Sequence, residues 1–229
     1  MHYVIALVIV LLLSSTPILR ADETISIGSS KAVLLRPSAP RASIILMPGG
    51  DGYIAAGPGG TIGKLKGNQL VRTRNAYLAL GLAVLVVDAD VNLARAVDYM
   101  AAIKRPVTVV ATSKGTLRAA HGITGGAKPD ALVLTSGFLT DGSGSRQNVA
   151  NILGSPRLLP RTLVIAHRHD SCRFTLPAGV EPFIRWAGGK ASVKWLDGGV
   201  NSGDPCQAQG HHGFNGLDGE VVSAAAGFH

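Results

Sequence analysis

Apolar runs of strand length, separated by stretches with helical spacing, recur along most of this chain. No other feature constrains its fold as much. Lys31–Leu35 and Ala42–Met47 read as two early strands, split by the turn formers Pro37-Ser38-Ala39-Pro40. Gln69–Leu80 has helical periodicity, and Ala83–Val87 is a buried strand ending at Asp88. Asn92–Ile103 is helical, with Leu93, Ala96, Val97, Met100 and Ile103 on one face. Further strands are expected at Val107–Val110, Ala131–Leu134, Thr162–Ala166 and Ser192–Leu196, with a short helix at Val180–Trp186 between the last two. Continuous apolar strands are buried on both faces, and their alternation with helices implies an α/β fold with a mostly parallel central sheet covered on both sides. In such sheets ligands bind beyond the carboxyl ends of the strands, so the residues just after each strand are the candidates for chemistry.

The 229 residues suffice for one full core and are too few for two comfortable ones, and neither an internal repeat nor a domain linker is visible. A content of 46% hydrophobic and 16% charged residues excludes a disordered chain. The formal charge of +8 favours acidic partners in general, but the basic residues are scattered from Arg36 and Arg41 to Lys190 and Lys194. There is no run of five like charges and no aromatic stripe on which bases would stack, so the charge reads as general solvation and not as a nucleic-acid surface.

Val4–Leu13 is an apolar run followed by Ser14-Ser15-Thr16-Pro17 and then Arg20-Ala21-Asp22. It is shorter than the roughly 20 residues that span a bilayer and matches a secretory h-region, with cleavage after Ala21. Residues 1–21 are therefore expected to be a signal peptide, with an uncleaved anchor as the alternative, and 22–229 one domain that is periplasmic or secreted and has no stable membrane span. In an oxidising compartment Cys172 and Cys206, the only two cysteines, would form one disulfide; the alternative is two buried thiols. They lie too far apart to supply the close ligand pairs of a zinc site.

Three segments after strands carry polar chemistry. The first is Ala111-Thr112-Ser113-Lys114-Gly115, between a β-branched run and a helical stretch. A serine on a sharp strand-to-helix turn with tiny residues two positions either side has the build of a nucleophile elbow, which lifts the hydroxyl above the sheet. An ordinary βα turn is the bland alternative. The second is Pro48-Gly49-Gly50-Asp51-Gly52, where the N–H of Gly50 or Asp51, with that of Lys114, would form an oxyanion hole. A phosphate loop does not fit, because Pro58 and Leu65 stand where that pattern needs glycine and Ser/Thr. The third is His167-Arg168-His169-Asp170, in which Asp170 is placed to orient an imidazole; Asp141, after the preceding strand, competes for that role. Asp88 and Asp90 read as loop or cap residues. Near the C-terminus Gly210-His211-His212-Gly213-Phe214 offers a histidine general base, and a metal reading is disfavoured because adjacent histidines seldom bind one ion and no acidic cluster accompanies them.

The order Ser113, Asp170, His212 resembles that of the α/β-hydrolase superfamily, from about Lys31 to the C-terminus. The chain looks like a small, lidless, exported member. His212-Gly213-Phe214 is similar to the His-Gly-Phe of dienelactone-hydrolase-like and prolyl-oligopeptidase-like relatives, which makes His212 rather than His211 the base. Ala111 replaces the first glycine of the elbow, Pro48 stands where many relatives have histidine, and serine argues against dienelactone hydrolases proper, which use cysteine. The resemblance implies hydrolysis of a small-molecule carboxylic ester or related acyl bond, with no cofactor. A non-catalytic exported binding protein and an acyltransferase are the alternatives. A Cys172–Cys206 bridge would tie the Asp170 loop to the His212 loop. The loop Gly49–Gly67, with eight glycines, is expected to border the pocket; Lys114, Arg72 and Arg74 read first as surface residues, with favouring an anionic substrate as the alternative.

Overall fold

The computed structural model describes residues 22–228; the expected leader, 1–21, lies outside the described residues. Eight strands form one sheet: β1 (Glu23–Ile27), β2 (Ser30–Leu35), β3 (Ala42–Met47), β4 (Leu82–Val87), β5 (Val107–Thr112), β6 (Ala131–Thr135), β7 (Arg161–His167) and β8 (Ala191–Leu196). Their spatial order is β1-β2-β4-β3-β5-β6-β7-β8. β2 pairs antiparallel with both β1 and β4, and every other pairing is parallel. The mostly parallel α/β sheet expected from the apolar runs is therefore present. A two-residue ribbon, Ala56–Gly57 with Thr61–Ile62, lies in the glycine-rich loop after β3.

Side chains on a strand alternate between faces, so each central strand feeds two cores. In β3, Ile45 and Met47 join one core while Ala42, Ile44 and Leu46 join the other. The first core packs against α3 (Leu93–Ile103), α4 (Lys114–Thr124), α5 (Val149–Leu153) and α6 (Val180–Trp186). The second packs against α1 (Gln69–Arg72), α2 (Arg74–Ala79) and α7 (Asp218–Ala226). β1 and β8 are the two edge strands, and Ser192 and Lys194 leave part of one face of β8 exposed.

Three local features differ from the sequence expectation. The helix expected over Gln69–Leu80 is broken at Thr73, whose Oγ1 donates to the Gln69 carbonyl at 2.7 Å and whose φ and ψ are −96° and 1°. β1 was not anticipated: its alternating Thr24-Ile25-Ser26-Ile27 pairs with β2 through a turn at Gly28, where φ is +65°. The five-residue α5 was also unforeseen, being too short for helical periodicity to register. Elsewhere the elements match within a few residues, and β5 runs on through Ala111 and Thr112 to the serine itself.

This topology gathers the site. The chain leaves β3 toward β4 on one side and returns to β5 on the other, a reversal that opens a crevice at the carboxyl ends of β3 and β5. Pro48–Gly52 follows β3 and Ser113 follows β5, so the two segments flank that crevice.

Candidate active site

Ser113 is the residue between β5 and α4, with φ +52° and ψ −128°. A non-glycine residue with positive φ costs of order 1–3 kcal/mol and persists only where its surroundings hold it. Here the Ser113 N–H donates to the Thr135 carbonyl at 3.0 Å, while Thr116 Oγ1 and N–H donate to the Ser113 carbonyl at 2.6 and 2.9 Å. The demand for small neighbours falls on two glycines. A Cβ on Gly115 would collide with the Met47 carbonyl and lie 2.8 Å from that of Pro48; one on Gly49 would lie 2.9 Å from Ser113 Cβ. Ala111, by contrast, pairs with Met47 across the sheet and buries its methyl in the first core.

His212 sits in a single 3-10 turn, His211–Gly213. Its Nδ1 is 3.1 Å from Asp170 Oδ2 and 3.0 Å from Thr175 Oγ1, and Thr175 Oγ1 donates to the same Oδ2 at 2.9 Å. Asp170 Oδ1 accepts the Cys172 N–H at 2.9 Å. With the Thr175 proton committed to the carboxylate, the Nδ1–H of His212 is shared between that carboxylate and the threonine oxygen, which leaves Nε2 as the unprotonated nitrogen. All three side chains are buried. The His-Gly-Phe triplet has a local physical reason. A Cβ on Gly213 would collide with the Ala208 backbone, and Phe214, with φ +53°, is fully buried in the second core. Ser136 Oγ donates to the His212 carbonyl at 2.7 Å and pins the turn from the other side.

Cys172 and Cys206 are joined in a disulfide across 34 residues, so the loop after β7 is tied covalently to the loop that carries His212. On the opposite flank, Arg118 of α4 donates to the carbonyls of Pro48 and, at 3.2 Å, Gly50. Burial lowers the pKa of this guanidinium and nearby Asp51 opposes the shift. Asp88 Oδ1 accepts the Ile54 N–H at 2.8 Å and holds the next part of the same loop, and burial raises its pKa.

A cavity of about 410 Å³ joins these parts. Ser113, Lys114, Gly50, His212 and both cysteines line it, with Phe138, Phe174, Leu65, Asn68, Gln69 and Gln207. Phe138 and Phe174 stack at 5.9 Å. Asp51 is not among the lining residues; its Oδ1 accepts the Tyr53 N–H at 3.0 Å. Asp141 is taken up elsewhere, accepting from Asn148 Nδ2 at 2.7 Å and Asn151 Nδ2 at 2.9 Å. His211 is also outside the cavity wall, with Nδ1 against the His169 carbonyl at 3.2 Å and its ring stacked 4.2 Å from that of His167. His167 accepts the His169 N–H through Nδ1 and bonds the Gly198 carbonyl through Nε2, a neutral tautomer that agrees with the lowering of its pKa by burial. Arg72 is used structurally: it bridges the carbonyls of Gly67 and Gly213 and pairs with Asp218 at 2.8 Å. Arg74 donates to the Val71 carbonyl. Among the described residues no group of three His, Cys, Asp or Glu side chains is arranged to hold a metal ion, and no helix is long and apolar enough to cross a membrane.

Thr175, Ser136 and Arg118 escaped the sequence reading. Ser136 immediately follows β6, where the strand-end rule could have found it. Thr175 and Arg118 carry no local signal, since each acts on a residue far away in sequence.

With this geometry, known structures of similar shape can be compared. A dienelactone hydrolase from Anabaena variabilis superimposes with a TM-score of 0.60 at 14% identity, over 93% of this chain and 96% of the other. An esterase domain of a Rhodothermus marinus protein gives 0.60 at 12% identity, covering 93% and 99%. XC6422 from Xanthomonas campestris, described as an α/β serine hydrolase without lid, gives 0.55 at 12%, covering 93% and 96%. The chain has the α/β-hydrolase fold. No protein-family model and no curated sequence matches it. At these identities the likeness is one of architecture, and any activity has to be argued from the residues of the site.

Proposed function

We propose that this α/β-hydrolase-fold protein is a serine hydrolase that cleaves a carboxylic ester or related acyl bond of a small molecule, with Ser113 as nucleophile, His212 as general base and Asp170 as the acid that orients it. The observation that carries the reading is the buried Asp170–His212 hydrogen bond, which opens onto the cavity that Ser113 lines from a strained turn. The esterases and serine hydrolases among proteins of the same shape support it.

In this mechanism His212 Nε2 takes the proton of Ser113 Oγ as that oxygen attacks the acyl carbonyl. The N–H of Lys114 and one from the Gly50–Asp51 segment bind the oxygen as it becomes negative. The C–O bond of the leaving alcohol breaks as His212 returns the proton to it, leaving an acyl-Ser113 ester. Water then attacks that ester while His212 takes its proton, and the acid departs with Ser113 restored. Asp170 stays ionised and stabilises the imidazolium in both steps. Arg118 serves the same step indirectly: by binding the Pro48 and Gly50 carbonyls it fixes the peptide planes whose other ends are the Gly49 and Asp51 N–H groups. The disulfide supports residence in an oxidising compartment, in keeping with a cleaved leader over residues 1–21.

Labelling with a fluorophosphonate, followed by peptide mapping, tests the reading. Wild-type protein is expected to carry the label on Ser113, and Ser113→Ala to carry none. Folded wild-type protein that takes up no label would leave a binding scaffold in place of an enzyme.

A further inference from the structure

One buried hydroxyl beside the imidazole takes no part in the proton transfers described above. Thr175 is 4% exposed, and its Oγ1 lies 2.9 Å from Asp170 Oδ2 and 3.0 Å from His212 Nδ1. The 3.1 Å contact between His212 Nδ1 and the same Oδ2 closes a triangle of three buried side chains. Among the described residues this hydroxyl has no other hydrogen-bond partner, so both of its contacts go to the proposed acid and base. Valine has nearly the same shape and would fill the site without burying a hydroxyl, which costs free energy unless its bonds are made.

The loop after β7 holds the acid and the hydroxyl in a fixed relation. Asp170 and Thr175, five residues apart, reach one ring nitrogen from the same loop. Between them the Thr175 N–H donates to the Cys172 carbonyl at 3.0 Å, and the Cys172 N–H donates to Asp170 Oδ1 at 2.9 Å. Cys172 is bonded in turn to Cys206. None of these ties uses the Thr175 hydroxyl, so the shape of the loop does not depend on it.

The hydroxyl has one proton, which it can give to Oδ2 or to Nδ1. An ionised carboxylate is the stronger acceptor, so the proton goes to Oδ2 and the oxygen turns a lone pair toward Nδ1. Nδ1 then faces two acceptors, and only its protonated form is satisfied there. The opposite tautomer, with the proton on Nε2, would aim a bare nitrogen at a carboxylate oxygen and could not take the proton of Ser113. With Asp170 alone the ring could still pivot about a single hydrogen bond; a second acceptor removes that freedom.

We infer that Thr175 is a positioning residue for His212: its hydroxyl, while donating to Asp170, serves as a second acceptor for the Nδ1 proton and fixes both the tautomer and the plane of the ring. The inference rests on the hydrolase reading above and adds to it the means by which the base is held ready.

The test compares Thr175→Val, which removes the hydroxyl and keeps the shape, with Thr175→Ser, which keeps the hydroxyl, in the purified full chain with 4-nitrophenyl butyrate as the probe. Thr175→Val is expected to lower kcat by about tenfold while KM stays within about twofold, and Thr175→Ser to recover most of that loss. Nitrogen NMR of the histidine side chains gives a second readout, with His212 assigned by the loss of its signals in His212→Gln. In the wild-type protein with neutral imidazole, Nδ1 is expected to carry the proton and Nε2 to be bare; in Thr175→Val the two tautomers are expected to mix. Thr175→Ala takes the place of the valine variant if that one does not fold. Unchanged kcat in the folded variant that lacks the hydroxyl, an equal loss in Thr175→Ser, or a wild-type ring with its proton on Nε2 overturns the inference. Fluorophosphonate labelling separates the two failures. Labelled wild-type protein whose turnover is indifferent to the hydroxyl defeats the positioning claim alone, while unlabelled protein that cleaves no ester defeats the hydrolase reading and this claim with it.

Discussion

The two flanks of Ser113 are held by different means. On the histidine flank, Asp170, Thr175 and His212 form a buried polar cluster, Ser136 grips the His212 carbonyl, and the Cys172–Cys206 bond joins the two loops covalently. On the other flank, the glycine-rich loop after β3 is secured by hydrogen bonds to its backbone from Arg118 and Asp88. The difference follows from what each flank presents. An imidazole works only in one tautomer and one orientation, so its supports must fix a side chain in low dielectric. The loop presents backbone, and its glycines let that backbone approach the nucleophile more closely than a Cβ would allow, as at Gly49. There the supports hold backbone groups, the Pro48 and Gly50 carbonyls and the Ile54 N–H.

The comparison can be broken most severely on the histidine flank. Asp170→Ala and His212→Ala are each expected to lower kcat by on the order of 10⁴-fold or more, because such groups act as a unit. Asp141→Ala, which loses only bonds to Asn148 and Asn151, should retain activity. Steady-state kinetics on one ester decide between them, and the reverse pattern would move the acid to Asp141. A smaller effect is expected from Cys206→Ser, which opens a loop of 34 residues; the chain-entropy argument gives a stability loss of about 3–4 kcal/mol, read from denaturant unfolding at matched pH. If that variant unfolds at the same midpoint, the staple does not account for the rigidity of this flank. The smallest effect belongs to the loop flank. Arg118→Gln should lower kcat by about tenfold while KM moves less, and Arg118→Lys should recover part of the loss, since a lysine still donates to carbonyls. Equal changes in kcat and KM, or no rescue by lysine, would make Arg118 a packing residue only.

How much of this was legible beforehand depended on the range of the interaction. β3, β4 and β5, the elbow around Ser113 and the Asn92-capped α3 all announce themselves within a dozen residues, through apolar runs, small residues and cap chemistry. The order of Ser113, Asp170 and His212 was readable too, and the structure brings Asp170 to His212 and seats His212 and Ser113 in one cavity. The choice of His212 over His211 comes only from the resemblance in the His-Gly-Phe triplet; the structure gives its physical reason, since one ring stacks on His167 and the other meets Asp170. The choice of Asp170 over Asp141 needs the third dimension. Each follows a parallel strand, and only packing decides which carboxylate faces the imidazole.

The sequence by itself determined the strands of the sheet other than β1, because burial on two faces demands continuous apolar strands and short-range periodicity records that demand. It also determined half of the serine turn's steric needs, met by Gly115 two positions on, while Gly49 is brought there only by the fold. Tertiary structure alone decided the partners: Thr175 bridging Asp170 and His212, and Arg118 reaching back to Pro48 and Gly50. Backbone conformation is governed by near neighbours along the chain, whereas a hydrogen bond between distant side chains depends on where the whole fold carries them, and no local pattern encodes that distance.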